Sequence, residues 1–421
     1  MFRAIGAEFQ ALTRSERLFI LFVLLCSFLI QADYASIRPV SNAVFITSYG
    51  SHFFPYAWLA TVPLNLLLIS WYNKNLPRWG CFKTFLMIAC TIMGFNLFCA
   101  LFLKKLFWLP FAFYVWKEVY IMLMFQQLWS VIHSTVAYSQ AKYLYGFIFG
   151  VGACGAITGS ILPGFFAVSL GSENLLFATL PIYLLLILCY GMVLKHTREG
   201  LKFKLDDEVK KSSFDAFFHG FKLIRSSNFL PFILCIVILM QLSSTLIDYQ
   251  FNHFLQTHIA EKDLRTQYTG RVLGLVHSAT LTLQFFGSFL FVHFLGVKRS
   301  HFFIPFILGL NNLAFLFLPT FGLITFSYVT VKCFDFSLFG IVKEMMYIPL
   351  KKDDKFRAKA FIDVFAHRTS KALASILIFG LQWFLDAHLQ MTIASIGLTL
   401  FILWCLLVKK MLKSEPVAAT P

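Results

Sequence analysis

The chain has 421 residues, of which 58% are hydrophobic and only 13% charged, with 52 phenylalanines. Soluble domains carry about 25% charged residues, and no water-soluble fold has an interior large enough for this much apolar surface, so lipid must solvate much of it. The net charge of +16 does not signal nucleic acid: the basic residues cluster between apolar runs, no RNA- or DNA-binding motif matches, and cationic membrane loops account for them.

A membrane-crossing helix needs about 20 mostly apolar residues. In chain order, spans are expected near 17–37, 53–72, 81–103, 108–134, 144–169 and 175–194. A hydrophilic stretch follows, and six more spans are expected near 229–256, 271–296, 302–319, 321–346, 360–388 and 390–408. The first apolar segment is long and leads straight into others, so it reads as a retained anchor rather than a cleaved signal. Most of the 36 Lys and Arg residues fall in alternate loops, which puts both termini and the central loop on the cytoplasmic side of the cell (inner) membrane. The expected fold is an all-α polytopic membrane protein. About twelve transmembrane helices form two six-helix halves, 1–194 and 229–421, around a basic cytoplasmic loop, 195–228. That layout is major-facilitator-like, an architecture in which two halves rock about a site near the bilayer midplane. The loop NKNLPRWGCFKT lacks the Asp and Arg cluster that ordinary sugar and drug carriers of that superfamily show between spans two and three.

None of the nine cysteines forms a CxxC pair, and nearly all sit in apolar runs, so free thiols are expected and neither a metal nor a cofactor. Ionisable residues inside the spans are more telling, because a charge in hydrocarbon is costly and marks a protein interior or a solute path. Span one ends with Gln31, Asp33, Tyr34 and Arg38. Tyr34 and Arg38 share a face; they suit either an interfacial anchor or a binding site. Span four carries Lys117 and Glu118, with Glu118, Gln126, Trp129 and His133 on roughly one face. Glu118 can bind substrate, carry a proton or pair with a cation on another helix. Span five has Gly146/Gly150 and Gly155/Gly159, small-xxx-small pairs that read as helix packing.

Span seven presents Gln241, Ser244, Thr245, Asp248 and Asn252 as one polar stripe, which must face the interior. Span ten places Lys332 and Asp335 at i, i+3, a spacing at which they can neutralise each other. Span eleven carries Asp363, His367, Arg368 and Lys371, with Lys371 well inside the apolar region. Several buried bases suit a small anionic solute, because guanidinium and ammonium offset phosphate or carboxylate charge. The candidate substrate-binding residues are Tyr34, Arg38, Glu118, Gln126, Trp129, Asp248, Lys332, Asp335, Arg368 and Lys371.

The run KCFDFSLFGIVKEMMYIPLKKDDKFRAKAFIDVF, from Lys332, resembles the corresponding region of the ATP/ADP translocases of plastids and obligate intracellular bacteria. That family shows a Lys, a (Y/F)SLF element, KEMxYIPL and a K-x-K-x-K-A-x-I-D-V run in the same order. YASIRPVSNAVFIT and WKEVYIMLMFQQLWS resemble its first-span and span-four regions more weakly. The resemblance implies a major-facilitator-like exchanger of nucleotides that holds its substrate with buried Lys and Glu residues. Arg38, Glu118 and Lys371 match its first-span Arg, span-four acid and span-eleven Lys. Three departures remove positive charge: Pro39-Val40-Ser41-Asn42 replaces Asp-Thr-Lys-Asp, Asp248-Tyr249-Gln250-Phe251 lacks the family's span-seven Lys, and Asp335 replaces a Lys.

The function expected is therefore a secondary-active transporter, working as a monomer, for nucleotides or a related organic anion. A proton-coupled symporter of another solute, with Glu118 and Asp248 carrying protons, is an alternative. So is a non-transporting receptor or scaffold on the same fold. No phosphate-binding loop, HExxH or GxSxG points to an enzyme.

Overall fold

The structure, a computed structural model, describes residues 13–136, 138–197, 224–225, 227, 229–347, 352–385 and 388–413. The side chains of 138–143, 287–293, 295–298, 352–361, 363–365 and 367–368 lie outside that description, as does most of the expected loop 195–228. The described chain is almost wholly helical. Its helices are α1 (Arg14–Tyr49), α2 (Phe54–Phe102), α3 (Leu109–Thr135), α4 (Tyr138–Leu170), α5 (Thr179–Lys195), α6 (Leu230–His258), α7 (Lys262–Thr282), α8 (Ser288–Phe317), α9 (Phe321–Phe334), α10 (Gly340–Met346), α11 (Lys352–Phe384) and α12 (Leu389–Lys413). Among the described residues, eight helical stretches are long and apolar enough to cross a membrane.

These helices do not map one-to-one onto the expected spans. Expected spans two and three both lie in α2, which breaks at Gly80, where φ 75° and ψ 168° are not helical. Only glycine takes that backbone at little cost, so the turn is written into the sequence as a single residue. Expected span eight is α7 plus a π-helical turn, Leu283–Gly287, and the start of α8. Helical bonding then runs unbroken to Phe317, through the expected turn near 297–301. Expected span ten is α9 and α10 joined by a second π-helical turn, Asp335–Phe339. α1 is also longer than expected, running 36 residues to Tyr49. Arg38 and Asn42 therefore lie within a continuous helix and not at its end.

The chain divides into two compact units. The first comprises Met1–Tyr49, Pro63–Leu205 and Ile259–Ser278. α1 is its central helix and packs against α3, α4 and α5. Glycine permits the α1–α4 approach: a Cβ at Gly155 would collide with the Phe28 carbonyl oxygen, one at Gly159 with the Ala32 carbonyl oxygen, and one at Gly152 would lie 2.8 Å from Ser27 Oγ. Gly146 meets nothing, whereas the expected Gly155/Gly159 pair, with Gly152, forms the contact face. Ser27 and Ser36 fasten the same seam, donating to the carbonyls of Ile148 (3.0 Å) and Gly159 (2.8 Å). Across the unit, Phe85 stacks on Tyr190 with centroids 3.8 Å apart.

The second unit comprises Gly50–Val62, Asp206–His258 and Ala279–Pro421. Here α6 is the central helix, against α9, α11 and α12, while α8 packs on α12. Phe251 of α6 stacks on Tyr328 of α9 at 4.2 Å. Asn312 of α8 donates to the Ala394 carbonyl of α12 at 2.6 Å, in space that Gly397 leaves open. In both units large apolar side chains remain outward, among them Leu67, Leu188, Phe317 and Trp383, the exposure lipid rewards and water does not.

Gly159→Leu should be among the most damaging single changes to the first unit. The added side chain must push α1 away from α4, and overpacking costs about 1–3 kcal/mol or more. Thermal unfolding in detergent should show a clearly lowered midpoint, whereas Gly146→Leu should leave it unchanged.

Candidate functional site

In the first unit the polar side chains converge from α1, α3 and α5. Lys117 of α3 is 1% exposed, and its Nζ donates to Asn42 Oδ1 of α1 at 2.9 Å. It also lies 3.1 Å from Glu118 Oε1 and 4.2 Å from the centroid of the Tyr114 ring. Glu118 thus has a cation in its own sequence neighbour. A carboxylate, an amide and a π-face share one ammonium, which is how a charge survives inside helices. One side of that arrangement is half-buried: Glu118, Tyr34 and Arg38 all keep some exposure.

Two further polar groups lie outside the candidate substrate-binding set. Asp33 is fully buried, and its Oδ2 accepts from Tyr120 Oη (2.9 Å) and Tyr183 Oη (3.2 Å). Gln127, not Gln126, is the buried amide of α3: it accepts from Tyr72 Oη at 2.5 Å and donates to Tyr190 Oη and the Cys81 carbonyl at 2.7 and 2.9 Å. Gln126 is half-buried beside it. Trp129 lies among His133, Tyr145 and Phe149, with centroids 5.4, 5.0 and 5.6 Å away, an aromatic cluster that ties α3 to α4. The shared face proposed for Glu118, Gln126 and Trp129 therefore presents unlike surroundings along its length.

In the second unit the span-seven stripe turns inward: Ser244, Thr245 and Asn252 are buried, and Gln241 and Asp248 half-buried. Lys332 of α9 donates to Ser244 Oγ at 3.0 Å, sits 3.8 Å from Asp248 Oδ2 and approaches the Tyr328 ring at 5.7 Å. Asp335 accepts from Gln241 Nε2 at 2.9 Å. Lys332 and Asp335 thus both reach α6, where the sequence spacing suggested a pair within span ten. Asp335 opens the π-helical turn Asp335–Phe339, and Gln284 of the other π-helical turn donates to the Phe336 carbonyl at 2.8 Å. Such turns recur at functional sites because they leave backbone groups out of the regular ladder. Lys371 of α11 lies 5.8 Å from the centroid of the Trp58 ring, a cation–π distance. The Arg368 side chain lies outside the described residues.

Residues 320–414 match the family model of the TLC ATP/ADP transporter. That match covers the C-terminal part of the chain alone. The matched region includes Lys332, the Asp335–Phe339 turn and Lys371, so the resemblance seen in the Lys332–Lys371 run is borne out over that stretch. The chain is also 24% identical over 343 residues to "ADP,ATP carrier protein 1" of Rickettsia typhi, covering 72% of this chain and 67% of that one. By fold it is similar to a crystal structure of a point mutant of the nucleoside transporter NupG, with a TM-score of 0.67 and 12% identity over 93% of this chain and 99% of that one. An auto-inhibited POT family peptide transporter gives a TM-score of 0.68 at 10% identity, over 96% and 98% of the two chains. The fold is major-facilitator-like, in a multi-pass membrane protein.

Outside the TLC domain, a second charged group joins the end of α4 to the start of α7 within the first unit. Asp263 accepts from the Ser172 amide (2.9 Å) and hydroxyl (2.5 Å), while Lys262 pairs with Glu173. Arg265 donates to the Ile259 carbonyl at 2.6 Å and to Thr47 Oγ1 at 3.2 Å. Burial pushes the Asp263 carboxyl up, but the two Ser172 hydrogen bonds and the Lys262 charge outweigh it and hold the group below its usual range. A carboxyl lowered in the folded state adds stability above its unfolded value, about 3.9, and loses it as pH falls through the folded value. Wild type and Asp263→Asn should therefore differ in thermal midpoint near neutral pH and converge below about pH 4. A gap that persists unchanged in acid would contradict an ionised Asp263.

Proposed function

We propose that this protein is a secondary-active transporter that exchanges nucleotides, or a closely related organic anion, across the cell (inner) membrane by alternating access. The observation that carries the reading is the TLC domain at 320–414 together with the cations it places inside helices, Lys332 and Lys371. Both termini lie on the cytoplasmic side, the halves 1–194 and 229–421 flank the basic segment 195–228, and the protein works as a monomer. Arg38, Lys332, Arg368 and Lys371 supply positive charge to the solute. Glu118, Asp248 and Asp335 hold those cations, or their neighbours, when the solute is absent. Tyr34, Gln126 and Trp129 contribute polar and aromatic contacts. Anion transport favours this arrangement because an ammonium held by a carboxylate can exchange that partner for a phosphate without ever standing bare in a low dielectric.

Liposomes loaded with unlabelled nucleotide should take up labelled ATP, ADP or a nucleoside monophosphate by exchange. Folded protein that exchanges none of these would contradict the proposal. Lys371→Ala should weaken the uptake of the preferred nucleotide about 10- to 100-fold in apparent affinity, because one charge-assisted contact is worth about 1.5–3 kcal/mol. Membrane insertion should be unchanged.

A further inference from the structure

Lys117, Glu118, Asp248, Lys332 and Lys371 each have a counter-charge or a cation–π partner inside the helices; Asp33 has neither among the described residues. It is 0% exposed, in the middle of the central helix of the first unit. Both of its hydrogen bonds arrive at the same oxygen, Oδ2, from Tyr120 on α3 and Tyr183 on α5. Its other oxygen, Oδ1, is buried and has no hydrogen-bond partner among the described residues. Neither protonation state is fully satisfied by this arrangement. As the anion, Asp33 holds a buried charge with two neutral donors and no cation among the described residues. As the acid protonated at Oδ1, it carries a proton with no acceptor among the described residues. A carboxyl kept only as a structural tie would be expected to have its proton bonded, because an unmade buried hydrogen bond is costly.

We propose that Asp33 is a proton-binding site of the first unit, taking up and releasing one proton at Oδ1 in the course of transport. The ligand is a proton delivered from and returned to water, and the O–H bond at Oδ1 is the only bond that forms and breaks. Among groups on the elements around it, Tyr34 and Arg38 share α1, Lys117, Glu118 and Tyr120 lie on α3, Tyr145 on α4, Tyr183 and Tyr190 on α5, and Glu173 precedes the turn Asn174–Ala178. Lys117 and Glu118 neutralise each other, Glu173 pairs with Lys262, and only Tyr120 and Tyr183 among the described residues reach the Asp33 carboxyl. The position gives protonation mechanical consequence. The peptide carbonyl of Ala32 meets the backbone at Gly159, so a change at Asp33 acts on the tightest helix contact of the unit as well as on two tyrosines from other helices. Ionisation should tighten both tyrosine bonds, since bonds to a charged acceptor are shorter and stronger, and protonation should slacken them.

The inference rests on the transporter reading for its role, but binding of the proton can be measured without transport. Infrared difference spectra of the purified protein across acidic to alkaline pH should contain a protonated-carboxyl band that titrates and is missing in Asp33→Asn. In nucleotide-loaded liposomes, wild-type exchange should vary with pH in step with that band, and Asp33→Asn should exchange with that step gone. Should Asp33→Asn fail to fold, Tyr120→Phe and Tyr183→Phe, which each remove one donor to the anion, should move the band's midpoint to higher pH. A carboxyl band that stays constant at all pH values, or an unchanged wild-type pH profile in folded Asp33→Asn, would overturn the proposal. A titrating band in protein that exchanges no nucleotide would leave the proton site standing and overturn the transporter reading instead.

Discussion

An ionised side chain in the middle of a bilayer raises the energy by a few kcal/mol or more unless something compensates it, and both helical units are built around that constraint. Lys117 meets it with Glu118, Asn42 and the face of Tyr114. Lys332 meets it with Asp248, Ser244 and Tyr328. The two solutions are alike in kind: one ammonium, one carboxylate, one neutral oxygen and one aromatic ring. Each joins a central helix, α1 or α6, to a neighbour in its own unit. In a transporter of anions such a cluster has two uses. It keeps the empty site compatible with the membrane, and it holds a cation ready to change partners.

The substituted motif in α1 has a structural reading. Where the family resemblance implies Asp-Thr-Lys-Asp, the chain has Pro39-Val40-Ser41-Asn42. Ser41, at the position of the family's Lys, turns its hydroxyl back onto the Arg38 carbonyl of its own helix at 3.1 Å. Asn42, at the position of the second Asp, offers Lys117 a neutral oxygen in place of a carboxylate. One positive and two negative charges have thus left this stretch of α1, the first Asp position being Pro39. Lys117 consequently leans on Glu118 for charge balance, and the first unit has one cation fewer to offer a polyphosphate.

How much of this was legible in the sequence differs by level. Membrane residence and the helical class follow from composition and apolar run length, because lipid leaves few ways to satisfy a backbone. The span-seven stripe was legible because five polar residues at helical spacing cannot face lipid. The resemblance to the TLC family over 320–414 was legible in one dense motif. Three things were not. The ends of α1 and α8 are set by tertiary packing rather than hydropathy, so polar residues such as Arg38 and Asn42 continue a helix that the apolar pattern ends early. The Lys117–Glu118 contact and the reach of Lys332 to Ser244 and Asp248 were not read, because spacing along one helix carries no information on which neighbouring helix reaches it. Asp33 and Gln127 were passed over since their partners are tyrosines on α2, α3 and α5, residues that elsewhere in the chain read as ordinary aromatic bulk.

The account turns on whether the buried cations exchange an internal carboxylate for a bound anion, and Lys332 with Asp248 is the place to ask. The most direct measurement is the shift in thermal midpoint of purified protein on adding nucleotide, since a ligand that binds only the folded state raises it. Wild type should be stabilised by at least one of the nucleoside mono-, di- or triphosphates, Lys332→Gln should lose that shift, and Asp248→Asn, which frees the ammonium, should keep or enlarge it. Equal shifts in wild type and Lys332→Gln would contradict the account, because the ammonium would then be a structural counter-ion and not the group that receives the anion.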